Sequence, residues 1–203
     1  MADLLKTEKN LRANHFKVEV FQTREDALKY LKKHVKGTVG VGGSVTLSQM
    51  GVIEWLREDP EIHFYDRYND IDPKQQLHNA LNADCFLMSS NAVTEDGMLY
   101  NVDGTGNRVS ALTFGPKKVF VVVGRNKIVK NLEEAIDRVE RIAAVKNCIR
   151  LKKNAPCVKT GHCMHCNFDD TICSIFVLKR RSHIKQRIEV LIVKEDLVYY
   201  WIF

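Results

Sequence analysis

The sequence predicts an α/β fold: a mainly parallel sheet flanked by helices, with a small C-terminal cysteine-bearing β appendage. Three observations predict it. Short apolar strands alternate with amphipathic helices from Lys17 to Lys146, glycine-rich loops follow strands, and 203 residues with 45% hydrophobic side chains supply one compact core. Residues 1–150 carry the α/β pattern, and residues 151–203 carry a cysteine segment and terminal strands packed on the same unit.

Leu4, Leu5 and Leu11 lie near helical spacing and predict a helix over residues 3–14, followed by an alternating strand at Lys17–Phe21. Thr23 reads as an N-cap, because Glu25 and Asp26 then occupy the first helical turn, where the helix dipole favours carboxylates. Ala27, Leu28 and Leu31 form that helix's apolar face, and Lys36-Gly37 ends it. Thr38–Val41 is a buried strand running into Gly42-Gly43-Ser44-Val45-Thr46, after which helical periodicity resumes from Leu47 to Leu56. Ile62–Tyr65 reads as a strand, Asp72–Asn82 as a helix with Pro73 in its first turn, and Cys85–Met88 as another buried strand.

Ala92-Val93 and Met98–Val102 flank Thr94-Glu95-Asp96-Gly97, a turn rich in residues that tolerate left-handed backbone, so a hairpin is expected. Asp103-Gly104-Thr105-Gly106-Asn107 leads into a helix through Thr113, then a strand at Lys118–Val123. A long helix, Leu132–Lys146, buries Leu132, Ala135, Ile136, Val139, Ile142 and Ala143. Beyond Pro156 the periodicity lapses, and Ser174–Leu178 and Ile188–Val193 read as an antiparallel pair.

Composition excludes collagenous, mucin-like and mainly disordered chains. The net charge of +6 is local: residues 1–100 hold 12 basic and 15 acidic side chains, whereas Lys146 to Arg187 hold 10 and 2, together with five of the six cysteines. The charged N-terminus lacks the apolar run of a secretory signal, and no stretch approaches the roughly 20 apolar residues of a membrane span, so a cytoplasmic protein without a membrane partner is expected.

A glycine turn between strand and helix presents free backbone N–H groups to an anion. Gly42, Gly43, Ser44 and Thr46 form one such loop, and Asp103, Gly104, Thr105, Gly106, Asn107 and Arg108 form a second that adds a guanidinium. Lys127, just past the strand Lys118–Val123, is a third candidate for binding a small anionic ligand. Neither loop has the Walker or Rossmann pattern, so no nucleotide cofactor is expected, and a tight turn without ligand is the competing reading. Glu95 and Asp96 are the carboxylates best placed to act as nucleophile or general base, against the plainer reading of a β-turn.

Cys157, Cys163, Cys166 and Cys173 follow C-x5-C-x2-C-x6-C spacing. In a reducing compartment such clusters are metal or redox groups more often than disulfides, so zinc, an iron–sulfur cluster and a metal-free subdomain staple all stay open. A second functional reading follows: a metal-bearing interaction or electron-transfer module that docks an acidic partner or nucleic acid through the basic segment. Only Phe168 and Phe176 interrupt that segment, which argues against a base-stacking platform and against nucleic acid.

The segments GVGGSVTLSQMGVIEWL, SSNAVTEDGMLYNVDGTGNRVSALTFGPKKVFVVVGRNKIV and PCVKTGHCMHCN resemble the LUD-domain family, which includes lactate utilisation protein C. The resemblance spans residues 3–200. It implies a sugar-phosphate isomerase and CoA-transferase-like fold, a link to oxidation of L-lactate to pyruvate, iron–sulfur oxidoreductase partner proteins and a possible homo-oligomer. By fold analogy it places Gly42, Gly43, Ser44, Gly104, Gly106 and Asn107 at a ligand cleft. The family names a pathway more than a reaction, so whether the chain is an enzyme stays open.

Overall fold

A computed structural model describes residues 2–69 and 71–198; the last five residues of the apolar stretch Leu197–Phe203 lie outside the described residues. The chain begins with α1 (Leu4–Ala13), capped by the Asp3 side chain, then β1 (Lys17–Phe21) and α2 (Arg24–His34). Thr23 caps α2 by accepting from the Asp26 N–H, as its sequence context predicts. β2 (Gly37–Val41) leads into α3 (Val45–Gln49) and α4 (Val52–Glu58). The single helix expected over Leu47–Leu56 is divided, because Gly51 adopts φ 71°, a left-handed conformation that ends one helix and starts the next at a new angle.

β3 (Ile62–Phe64), α5 (Pro73–Ala80) and β4 (Cys85–Met88) come next, followed by the hairpin β5 (Ala92–Thr94) and β6 (Leu99–Asp103). Then follow α6 (Asn107–Thr113), β7 (Lys118–Gly124) and the short β8 (Ile128–Val129). The long helix runs as α7 (Leu132–Arg138), a π-helical turn (Val139–Ala143) and α8 (Ala144–Arg150). Ala135, Val139 and Ala143 are its buried face, while Ile136 and Ile142 are each 37% exposed, correcting their expected burial. The chain closes with α9 (Pro156–Thr160), β9 (Ile175–Lys179) and β10 (Ile188–Val193).

Six strands form a sheet in the order β1-β10-β7-β4-β2-β3, with every pairing parallel. A second sheet, β8-β5-β6-β9, stands beside it. The expected antiparallel pairing of the two C-terminal strands does not occur. β9 pairs antiparallel with β6, and β10 enters the six-stranded sheet between β1 and β7. The reason is visible in their side chains. Every residue of β10 is buried, which requires a partner on both edges and a helix layer on both faces, whereas β9 is half-buried in alternation and suits an edge. One face of the large sheet packs on α2, α3 and α4 through Leu31, Leu47, Trp55 and Leu56, and the other packs on α1, α5 and α6 through Leu11, Ala80 and Leu112.

Among the described residues, Glu189 carries a charge into this layered core. Glu189 of β10 is 1% exposed and accepts hydrogen bonds from Tyr30 Oη at 2.6 Å and Lys118 Nζ at 2.8 Å, with Lys17 Nζ at 3.2 Å. Burial works to raise its pKa, but the bonds from Lys118 and Tyr30 prevail and hold it below the ordinary glutamate range. A carboxylate depressed in the folded state stabilises fully above its unfolded pKa and loses that contribution as pH falls through the folded value. Glu189→Gln is therefore expected to cost about 2 kcal/mol at neutral pH, less than for a fully buried pair because both lysines reach water. Urea unfolding should show the gap between the two proteins closing as pH is lowered towards about 3.

Candidate functional site

Parallel strands bring their carboxyl ends to one side of the sheet, where α/β proteins bind ligands. There the loops after β2, β4 and β7 meet the open end of the β5–β6 hairpin and one side of the long helix, around a cavity of about 80 Å³. Gly43, Ser44, Thr46, Ser89, Ser90 and Asn91 line it on the sheet side, with Arg108, Lys127, Arg138 and Asn147 contributed by the helices and by the turn after β7. Val198 closes one wall, its N–H donating to Gln49 Oε1.

Lys127 lies in the single helical turn Arg125–Lys127 and is 7% exposed. Its Nζ donates to Thr46 Oγ1 at 2.9 Å and to Ser89 Oγ at 2.8 Å, and the Ser89 hydroxyl donates onward to Val122 O. No carboxylate among the described residues pairs with it. Burial drives its pKa well below the ordinary lysine value, and repulsion from Arg138 and Arg108 adds to the fall.

Arg108, from the first turn of α6, reaches the cavity across Gly42. A Cβ on Gly42 would stand 2.9 Å from Arg108 Cγ, so only glycine leaves the passage open. Its two terminal nitrogens donate to Ser89 O, Asn101 Oδ1, Asn91 Oδ1 and Val102 O, and Asp103 lies 3.5 Å from its Nε. Arg108 thus charges the cavity while its N–H groups hold the walls. Arg138 donates from Nε to Asn126 O and from Nη1 to Asn91 O. Three cations therefore line one small cavity whose polar complement is hydroxyls and amides. Such a cavity attracts an anionic headgroup, and its volume suits a carboxylate or phosphate rather than a dinucleotide.

Of the residues singled out in the sequence, Gly43, Ser44, Thr46, Arg108 and Lys127 come together here, with Gly42 directly behind. Asp103, Gly104, Thr105, Gly106 and Asn107 do not line the cavity. Asp103 faces Arg108, Thr105 bonds Asn107, Gly104 packs on Ile172, and Gly106 starts α6 at φ 87°. Glu95 and Asp96, expected as catalytic carboxylates, also lie outside it, at the closed end of the hairpin. Glu95 accepts from the Asp3 N–H and from Lys6 Nζ, bonds that hold its pKa down and dock α1, while Asp96 accepts from the Thr94 hydroxyl. Sequence reasoning missed Ser89, Asn91 and Arg138. The first two directly follow a buried strand, and Arg138 sits between the buried Ala135 and Val139, where a lone cation on an apolar helix face is a recognisable signal.

The cysteine segment wraps over the far part of the long helix. Cys157 packs with Cys148, Val145 and Ala155; the Cys163 N–H donates to Glu140 O; and Cys173 packs on the cluster containing Val139 and Ala143. Cys148, at the end of the long helix, is hence a neighbour of the cluster. Burial and then the hydrogen bond to Cys157 push its thiol up to about 12, and burial with the charges of Cys163, Cys157 and Cys166 pushes Cys173 up to about 11. Among the described residues, one group of three potential metal-binding atoms lies within 4.8 Å of one another: Glu140, Cys163 and His165. Cys85, in β4, is buried in the sheet core away from this segment.

The depressed Lys127 pKa makes a signed prediction. Between its folded value and the ordinary lysine value near 10.4, the unfolded chain binds the extra proton, so stability from this group rises with pH. Relative to Lys127→Met, which has no such group, the wild-type protein should gain up to ~1.4 kcal/mol per pH unit on the alkaline side, measured by urea unfolding across a pH series.

Comparison with known proteins agrees with this architecture. The crystal structure of a DUF162 family protein from Deinococcus radiodurans is similar over 94% of this chain and 95% of that one, with a TM-score of 0.52 and 15% identity. No curated protein matches the chain in sequence. No helix among the described residues is long and apolar enough to cross a membrane. The LUD domain family model matches residues 4–193, from the first helix through the last strand of the large sheet, and the chain belongs to the LUD domain family.

Proposed function

We propose that the cavity binds the acid group of a small anionic ligand, in the size class of lactate and pyruvate, and that the protein serves L-lactate utilisation as a subunit or accessory protein. One observation carries this reading: Lys127, Arg108 and Arg138 line a single cavity whose other polar lining is hydroxyls and amides, with Asp103 facing Arg108 from outside it. The general association of LUD domains with lactate utilisation supports the ligand class.

Each residue then has a defined part. Lys127 meets the anion, with Thr46 and Ser89 orienting its Nζ. Arg138 adds charge from the long helix, and Arg108 holds the Ser89, Asn91 and Val102 walls in register. An arriving anion favours the protonated form of Lys127, so binding takes up a proton wherever the empty site holds the amine neutral. In the same reading the cysteine segment holds a metal through Cys157, Cys163, Cys166 and Cys173, and its basic surroundings face an acidic partner such as an iron–sulfur oxidoreductase.

Thermal unfolding in the presence of L-lactate, pyruvate and inorganic phosphate tests the cavity. A bound anion at one hundred times its Kd stabilises by about 2.7 kcal/mol, and Lys127→Met should abolish that response while the protein still unfolds cooperatively. Absence of stabilisation by all three, or an undiminished response in Lys127→Met, defeats the reading. Calorimetry in two buffers of different ionisation enthalpy should show proton uptake on binding that is lost in the variant.

A further inference from the structure

The spacing of the cysteine sulfurs separates one kind of metal centre from another. A single zinc held by four thiolates at 2.3 Å in a tetrahedron places neighbouring sulfurs ~3.8 Å apart. No three cysteine sulfurs among the described residues lie within 4.8 Å of one another. Three of the four nonetheless meet one stretch of helix, and Cys166 follows Cys163 by three residues. Their segment folds along a single stretch of helix, with Cys157 beside Cys148, Cys163 tied to Glu140, and Cys173 against Val139 and Ala143. Cys157 is buried and the other three are half-buried.

The geometry points to an iron–sulfur cluster bound by Cys157, Cys163, Cys166 and Cys173, in which iron and sulfide fill the space between thiolates standing too far apart for one zinc ion. This rests on the reading that the cysteine segment holds a metal. Two further features fit a cluster. The His165 N–H donates to Cys163 Sγ at 3.4 Å, the kind of N–H to sulfur bond that tunes cluster thiolates. Around the cysteines themselves, residues 146–173 carry five basic side chains against two acidic, an excess that suits the net negative charge of a core ligated by four thiolates. Assembly asks for ferrous and ferric iron with sulfide. Each of the four S–H groups loses its proton to solvent as its sulfur–iron bond forms, and the protein itself undergoes no redox change. The trio Glu140, Cys163 and His165 is the competing mononuclear site, but it employs one cysteine of the four and a largely exposed histidine.

The full-length protein, purified and reconstituted anaerobically with iron salts and sulfide, is the test. Expected are iron and acid-labile sulfide in equal amounts, about two or four of each per chain, with the broad visible absorption of a cluster. Cys166→Ser should lose at least half of the bound iron and that absorption, whereas Cys85→Ser should keep both. Colourless protein retaining one zinc per chain overturns the cluster and leaves the metal reading standing. Protein retaining neither iron nor zinc overturns both. Metal that survives Cys157→Ser and Cys173→Ser but is lost in Glu140→Gln assigns the site to the mixed trio and also overturns the cluster.

Discussion

The guanidinium of Arg108 holds together parts that the chain otherwise keeps separate. It binds Ser89, at the end of a strand of the large sheet, and Asn91, Asn101 and Val102, which belong to the hairpin of the small sheet. Neither sheet edge supplies these bonds itself. A planar fork with donors in fixed directions is suited to such a junction, because it joins four acceptors without needing a second rotamer. The cost of burying the charge is met by these bonds and by Asp103, and the wall thus fixed is the one Lys127 faces. The passage at Gly42 is filled by that side chain, and Asn91 is shared between it and Arg138.

Much of this order is legible in the sequence because it is local. The first strand, the Thr23 cap, Pro73 at a helix start and the hairpin around Glu95-Asp96 follow from residues within a few positions of one another. Gly43, Ser44, Thr46, Arg108 and Lys127 are likewise legible, since each follows a strand or starts a helix at a recognisable turn. What is not legible is long-range. The partner of β10 is decided by burial on both faces, and Glu95 is drawn to the N-terminal helix by Asp3 and Lys6 from about ninety residues away. Arg138 reaches the cavity only because the long helix lies across it.

That helix serves two regions. Arg138, Ala143 and Asn147 face the cation-lined cavity, while Glu140 and Cys148 meet the cysteine segment. An undisturbed α-helix repeats its faces every 3.6 residues. The π turn at Val139–Ala143 inserts a change of phase between Arg138 and Asn147, so that both can look into one cavity while the intervening backbone offers Glu140 O to Cys163. The cysteine segment and one wall of the cavity thus share a single element.

The placement of β10 bears on how the molecule is assembled in time. Its neighbours β1 and β7 cannot touch each other, so Lys17 finds its partner at Glu189 and Val119 at Ile188 only after all other strands have been synthesised. Until then β1 has no sheet to join, and β7 presents an open, apolar edge. Ribosomal synthesis therefore leaves a half-sheet whose completion waits for one late strand to slip between two early ones. Such non-local closure makes for slow folding and a vulnerable intermediate, and a chaperone that shields the edge of β7 would act at the step where this chain is most exposed to misassembly.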